Sequence, residues 1–361
     1  MKWISAVCVS SGLALVESLG SLVYIPVRQD NQLDPDFGMA ISDDGRFIAG
    51  TSVTDGVREA YRFEVGVGVT MLGDLPGGTF SSNGLGISAD GSVIVGRATD
   101  ANSQVWFRWT LSGGMISLGR SGYATDVSAD GSVIVGRDNS GAALVWTAGS
   151  GFTALGFKSA LAISRDGTAI VGYRKDPLDS NPFDGEDTPY IWLQGAGFVN
   201  LPKSPNAGNT YALSISDDHS VIAGYSGMLN GGNRPFRWTL AEGYQYLGTL
   251  PGMSPASDLN TTDMSGDGRI IVGGNSGGQS FIWEEGVGMK PASEYFASLG
   301  INIPNINYVG AVSKDGKTFA GTTSGGQTFV AIVPEPGISL MLVAGALTLG
   351  GRRRQDRQSQ K

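Results

Sequence analysis

The chain has 361 residues, 56 of them glycine, with a formal net charge of −8, one cysteine and one histidine. That acidity, with lysine and arginine sparse, argues against nucleic acid as a partner and leaves no basic patch for an anionic membrane. From the lone Cys8 and the lone His219 no disulfide, no histidine-rich metal site and no Ser/His/Asp triad can be assembled.

Residues 1–20 begin with Lys2, run apolar from Trp3 to Val16 and end in small residues near Ser18–Ser21. That pattern is expected of a secretory signal peptide. Ser21–Val27 follows as a short extended segment. From Ser42 onward one motif recurs: a serine, an aspartate two residues on and a glycine eight residues after the serine. Copies start at Ser42, Ser88, Ser128, Ser164, Ser216, Ser265 and Ser313, spaced 36 to 52 residues apart. The ten residues Ser88–Arg97 return unchanged as Ser128–Arg137. A period of this size signals a solenoid, a propeller or an array.

The third copy is the clearest unit. Tyr123–Ser128 is extended, and Asp130-Gly131 suits a tight hairpin turn. Ser132–Gly136 returns as a β-branched strand, Leu144–Thr147 is a third strand and Phe152–Leu155 a fourth. Four short antiparallel strands per repeat match a propeller blade, and apolar residues at helical spacing are missing. The predicted fold is therefore all-β: a seven-bladed β-propeller over residues 21–333. Closure would come from pairing Ser21–Val27 with the last three strands, near Tyr308–Ser313, Thr318–Gly321 and Thr328–Val333, which removes exposed sheet edges. Phe63, Trp109, Trp146, Trp192, Trp238, Trp283 and Phe329 mark the third strands. One ring per blade packed between neighbours is the expectation, with a sugar-stacking platform as the functional alternative.

Departures from the pattern carry the remaining information. The interruption Tyr173–Pro189 holds Asp176, Asp179, Asp184, Glu186 and Asp187. Such carboxylates could hold calcium, but the spacing fits no EF-hand, and a solvated acidic loop is the plainer reading. His219 replaces the turn glycine of the fifth copy and reads as a tolerated surface residue. Ser293–Leu299 is predicted to form one or two helical turns, with Ser293 as N-cap and Gly300 as stop. The Ser-x-Asp-Gly turns are uniform, whereas Asp74–Asn83, Tyr173–Pro189, Tyr225–Arg234 and Thr249–Asn260 vary, so binding is expected on the variable-loop face. Asp126 and Asp263 stand where other copies have Ala40, Gly86, Ala162, Ser214 and Ala311. Two carboxylates across a central pore are what a glycoside hydrolase or lyase would use, and this enzyme is the alternative to a non-catalytic protein. No catalytic residue, cofactor or metal ligand is assigned.

The C-terminal segment, residues 334–361, is the most specific signal. Pro334-Glu335-Pro336 ends the last strand. Ile338–Gly351 is apolar for fourteen residues, short against the ~20 of an ordinary span. Arg352, Arg353 and Arg354 follow at once and would hold that end in the cytoplasm. With these residues the chain resembles bacterial proteins that carry a PEP-CTERM sorting signal. The resemblance implies a transient transmembrane helix in the inner membrane, cleavage by an exosortase-type enzyme, and delivery to the cell surface or extracellular matrix of an exopolysaccharide producer. Pro334, Glu335, Pro336 and Arg352–Arg354 would be the sorting residues. The repeats resemble HAF-type extracellular repeats, through Pro235-Phe236-Arg237-Trp238, Ser280-Phe281-Ile282-Trp283 and Leu247-Gly248, although the histidine that names the motif is missing from every copy. That resemblance implies no activity. The turns are also similar to the Asp-box of sialidase propellers, with one residue fewer between Asp and Gly and no sialidase active-site pattern. An exopolysaccharide or an envelope protein is the expected partner outside the cell.

Overall fold

The computed structural model describes residues 20–28, 38–101, 103–175, 187–202, 206–229, 231–254 and 256–333. The signal-peptide reading of residues 1–19 and the whole tail from Pro334 lie outside them. The fold is all-β, and each repeat builds a group of four antiparallel strands. In the fifth, Ala207–Ile215, Val221–Met228, Asn233–Thr239 and Gly243–Tyr246 pair in that order. The last repeat supplies three strands of its own, Ile306–Val312, Thr318–Thr323 and Gln327–Ile332. Its fourth is Ser21–Arg28 from the other end of the sequence, which runs antiparallel to Gln327–Ile332 with Ser21 opposite Ile332 and Ile25 opposite Thr328. The shortest repeat has no connector at its start. Strand Gly114–Val127 pairs through its first half with the second repeat (Gly114 opposite Thr110) and through its second half with the third (Gly122 opposite Asp138).

The Ser-x-Asp-Gly turn explains its own sequence. The serine hydroxyl donates to the aspartate Oδ1, at 2.8 Å for Ser42–Asp44 and 2.7 Å for Ser128–Asp130. The same Oδ1 accepts the backbone N–H two residues on, and the serine Oγ accepts the N–H five residues on, as Ser132 and Val133 show at 3.0 Å. The serines are almost completely buried, so these bonds satisfy groups that would otherwise be orphaned. Two side chains thus close one turn.

Glycine recurs at two positions of the repeat, the first of them held by His219 in the fifth. The turn glycine has positive φ (71° at Gly131) and packs against the preceding repeat. Gly91 lies on Phe47, Gly131 on Val93 and Gly316 on Ile270; Gly45, in the first repeat, lies on Thr318 of the last. His219 sits in the same turn at φ 64°. At the position that faces it, the fourth repeat carries the small Ala169 where others have Phe47 or Val221. That difference leaves room for an imidazole, whose Nε2 lies 3.2 Å from Asp166 Oδ1. The second glycine closes the motif. A Cβ on Gly224 would overlap the carbonyl of Tyr211 and lie 2.9 Å from the Phe236 ring.

That second contact corrects the aromatic series. The rings opposite the closing glycines are Tyr61, Phe107, Tyr190, Phe236, Phe281 and Phe329, and all are fully buried. Phe63, Trp109, Trp146, Trp192, Trp238 and Trp283 sit two residues further on, and four of them, Trp146, Trp192, Trp238 and Trp283, are only partly buried. Phe329 therefore belongs to the inner set and not with the tryptophans. In the third repeat Leu144 stands opposite Gly136, and the missing ring comes from Trp106 of the second repeat, whose Nε1 donates to the Arg137 carbonyl at 3.0 Å.

Successive groups are joined by apolar clusters that bridge them. Phe47 and Ala60 of the first repeat pack with Ile94 and Phe107 of the second. Chains of backbone bonds link the turns: in five of the seven repeats the residue after the serine donates its N–H to the carbonyl of its counterpart in the next repeat. Asp43 bonds Ala89, Ala89 bonds Ala129, Ala129 bonds Arg165, Asp217 bonds Gly266 and Gly266 bonds Lys314, at 2.8–3.1 Å. The predicted helical turns form Ala292–Ser298. The capping position is Pro291, with no side-chain cap, because Pro291 is the last residue of the preceding strand and Ser293 is already inside the first turn. Gly300 ends the segment as expected, at φ 76°. Among the described residues no helix is long and apolar enough to cross a membrane.

Candidate functional site

Two concave sites stand at opposite ends of the molecule. At the turn end, the first strands of the repeats line one channel, a cavity of about 150 Å³ whose wall includes Met39, Leu85, Asp126, Leu161, Leu213 and Asp263. The two aspartates that break the sequence pattern are thus brought together in one space. Their surroundings match. Thr125 and Thr262 precede them as bulge residues, and their hydroxyls donate to the Ala160 and Val309 carbonyls of the following repeat at 2.9 and 3.1 Å.

Asp126 Oδ1 accepts the Val127 N–H at 2.8 Å, and its Oδ2 accepts the N–H of Ile163, in the next repeat, at 3.0 Å. Asp263 does the same with Met264 (2.7 Å) and Val312 (3.0 Å). All four oxygens are bonded to main chain, and each carboxylate clasps two neighbouring inner strands. Burial pushes the Asp126 carboxyl up to about 6, against the Ile163 N–H and the Lys314 charge, with Asp263 adding to the rise. Burial likewise raises Asp263, opposed by Lys314 and by bonds from Val312, Met264 and the Ser214 hydroxyl. Both side chains still face the channel and are only half-buried. At the channel mouth Arg165 pairs with Asp43.

The second site lies on the variable-loop end, a cavity of about 370 Å³ between the first two strands of the fifth repeat. Its wall includes the rings of Tyr211 and Tyr225, 5.1 Å apart, together with Asn209, Met228 and Asn233. Tyr173 stands edge-on to Tyr211 at 4.8 Å. Asp187 fixes the frame. Its backbone N–H donates to Asn209 Oδ1 at 2.8 Å, its Oδ2 accepts the Tyr211 hydroxyl at 3.4 Å, and its Oδ1 pairs with Lys158 at 3.2 Å. Gly208 and Asn209 are the irregular residues between the paired Ala207–Met228 and Thr210–Ser226, a bulge of the kind that re-aims side chains beside binding sites. Burial, then the Asp187 charge, holds the Tyr211 phenol well above its ordinary value; burial, then Tyr173, raises Tyr225. Both rings stay neutral at physiological pH.

Of the acidic interruption, residues 176–186 fall outside the described part, and its last acid, Asp187, is the framing residue just named. Among the described residues no cluster of three or more His, Cys, Asp or Glu side chains could hold a metal ion. The sorting residues Pro334, Glu335, Pro336, Arg352, Arg353 and Arg354 lie outside it as well. Sequence reasoning found Asp126 and Asp263 by their break in the pattern and pointed to the variable-loop end, but it missed Asn209, Tyr211, Tyr225 and Asn233. The available signal was Gly208 and Gly227, two glycines in strands that no turn explains.

No family model matches the chain, and no curated protein matches it. Solved structures do. Oligogalacturonate lyase from Vibrio parahaemolyticus superposes with a TM-score of 0.56 at 13% identity, covering 88% of this chain and 99% of that one. The WD40 repeats of RRP9 give 0.54 at 12%, covering 86% and 98%. The Cps50 (Swd1) β-propeller domain of Myceliophteria thermophila gives 0.54 at 11%, covering 87% and 100%. At these identities the likeness carries architecture and no activity: the protein is a β-propeller.

Proposed function

We propose that this is an exported protein of the cell surface or extracellular matrix, with a non-catalytic binding or structural role, built as a closed seven-bladed propeller. Closure is supported by the pairing of Ser21–Arg28 with Gln327–Ile332 and by the seating of Gly45 on Thr318. Export and sorting rest on the tripartite tail, with Pro334-Glu335-Pro336 and Arg352–Arg354 presented to an exosortase-type enzyme. One observation carries the non-catalytic reading: every oxygen of the two channel carboxylates already accepts a main-chain N–H. A general acid must release a proton to a leaving group and a nucleophile must approach the sugar carbon, and carboxylates already engaged on both oxygens weigh against either role.

A second reading, a glycoside hydrolase or lyase, draws on the shared channel and on the raised Asp126 and Asp263, together with the solved neighbour that is an oligogalacturonate lyase by name. Intact mass and fractionation of the native protein test the sorting reading. A product ending near Pro334–Gly337 outside the cell supports it; a membrane-bound product that retains Arg352–Lys361 overturns it. Incubation of the purified protein with polysaccharides tests the other half. Saccharide cleavage that disappears in the Asp126→Asn, Asp263→Asn double variant would establish the enzyme.

A further inference from the structure

The geometry points to the loop-end cavity as a binding site for a neutral pyranose segment of a polysaccharide, stacked on Tyr211 and Tyr225 and hydrogen-bonded by Asn209 and Asn233. The inference deepens the binding reading above and rests on it in one respect, that the protein meets glycan outside the cell.

Four observations carry it. The volume, about 370 Å³, falls at the small end of ligand pockets, which run from about 300 to 1,000 Å³. The floor is kept open by two glycines. Gly208 and Gly227 lie in strands without positive φ, and a methyl on either would meet nothing closer than 3.4 Å. Gly208 belongs to the bulge, where glycine is common, and Gly227 stands opposite it. No turn or packing contact calls for glycine at Gly227, and such a glycine inside a strand often marks close approach of a ligand or of another backbone. Third, the wall offers one free amide donor and one free amide acceptor. Asn209 uses its Oδ1 on the Asp187 N–H, and Asn233 uses its Nδ2 on Asn260 Oδ1 at 2.8 Å. Asn209 Nδ2 and Asn233 Oδ1 therefore have no partner among the described residues, the complement of a sugar's vicinal hydroxyls.

The fourth observation is charge. Among the described residues the wall holds amides, phenols and a thioether and no ionised group, while the carboxylates of Asp187 and Asp258 stand behind it, Asp258 accepting the Asn233 N–H at 2.7 Å. Asp187 is already paired with Lys158 and Arg234 bonds the Asn233 carbonyl, so it is the wall itself, without a cation among its described lining residues, that favours neutral hydroxyls over a uronate or a phosphate. Rigid tyrosine faces supply apolar contact at little entropic cost. The aromatic packing around Tyr211 holds its ring before any ligand arrives.

The test is calorimetric titration of the full chain with glucose, mannose and galactose hexasaccharides, with a galacturonate hexamer as the charged comparator. A neutral hexamer should bind. Gly227→Val, which fills the floor, and Tyr225→Ala, which removes a ring, should each weaken it by about tenfold or more, the loss usual for a truncated central anchor. Tyr225→Phe should retain most of the affinity. Melting curves alongside separate lost binding from lost folding, and the two variants act through different atoms. Three results overturn the proposal: no neutral hexamer binds at about 1 mM, where even weak recognition registers; a neutral hexamer binds but both folded variants bind it as well as the parent; or only the galacturonate hexamer binds, with salt dependence. None of these bears on the mass and location of the native protein, so failure here and failure of the sorting reading are told apart.

Discussion

The two ends of the propeller are built on opposite rules. At the turn end, seven near-identical Ser-x-Asp turns satisfy their own polar groups, and even the two aspartates that break the pattern are absorbed into main-chain bonding. At the loop end, the corresponding stretches differ from repeat to repeat, and in the fifth they leave an open cavity with amide groups unspent. Uniformity marks the part that holds the molecule together. Irregularity marks the part with spare bonding capacity.

The largest test of that contrast is Gly224→Ala. Its Cβ would overlap the Tyr211 carbonyl and press on Phe236, so the loss should exceed about 4 kcal/mol, the range of severe core disruption. Urea denaturation or insolubility on expression would show it. A loss under about 1 kcal/mol would mean that the strands shift freely and that the glycine is not structural. Next comes Ser128→Ala, which strands the partly buried Val133 N–H and removes a donor from Asp130. A loss of about 1–3 kcal/mol is expected, against about 0.5 kcal/mol or less for Leu229→Ala on the exposed loop. Equal losses would break the contrast.

The smallest effect concerns pH. Bonds from Ser132 and Ser128 hold Asp130 below its ordinary value, and bonds from Ser220 and Ser216 hold Asp218 down to about 2. Their contribution is present above pH ~4 and lost as pH falls toward 2. Asp126 behaves oppositely. Its folded value is raised to about 6, so the folded state binds the proton first and gains stability as pH falls from about 6 to 4. The melting temperature should rise by a few degrees between pH 7 and pH 5 and drop below pH 4. Asp126→Asn should reduce the rise, leaving the part due to Asp263, which burial also raises, and leave the acid limb. A rise of the same size in that variant would remove Asp126 as its source.

The sequence disclosed the turns because their chemistry is local: Ser128, Asp130 and Gly131 act on one another within a few residues. It disclosed the inner-strand aspartates because a charge replaced a small residue. It did not disclose the rings facing the closing glycines. In the third repeat that ring is Trp106, borrowed from a neighbour while Leu144 holds the expected place, and a motif count cannot see an exchange between repeats. The helix cap was misread for a similar reason. Ser293 is a good capping residue by type, but strand pairing of Pro291 with Phe281 puts the cap two residues earlier. The loop cavity stayed hidden because Gly208 and Gly227 look like any of the chain's 56 glycines until the bulge beside them is known.

The chain of backbone bonds from turn to turn has a consequence for how such a protein can change. Its donors and acceptors belong to the main chain, so the bond itself asks nothing of the side chain at a link, although at Gly266 a Cβ would lie 2.5 Å from Asp217 Oδ2. Those positions hold Asp43, Ala89, Arg165, Gly266 and Lys314, both signs of charge and no side chain at all. The electrostatic signature of the channel mouth is thereby separable from foldability. Selection, or a designer, can rewrite it one residue at a time without re-solving the fold.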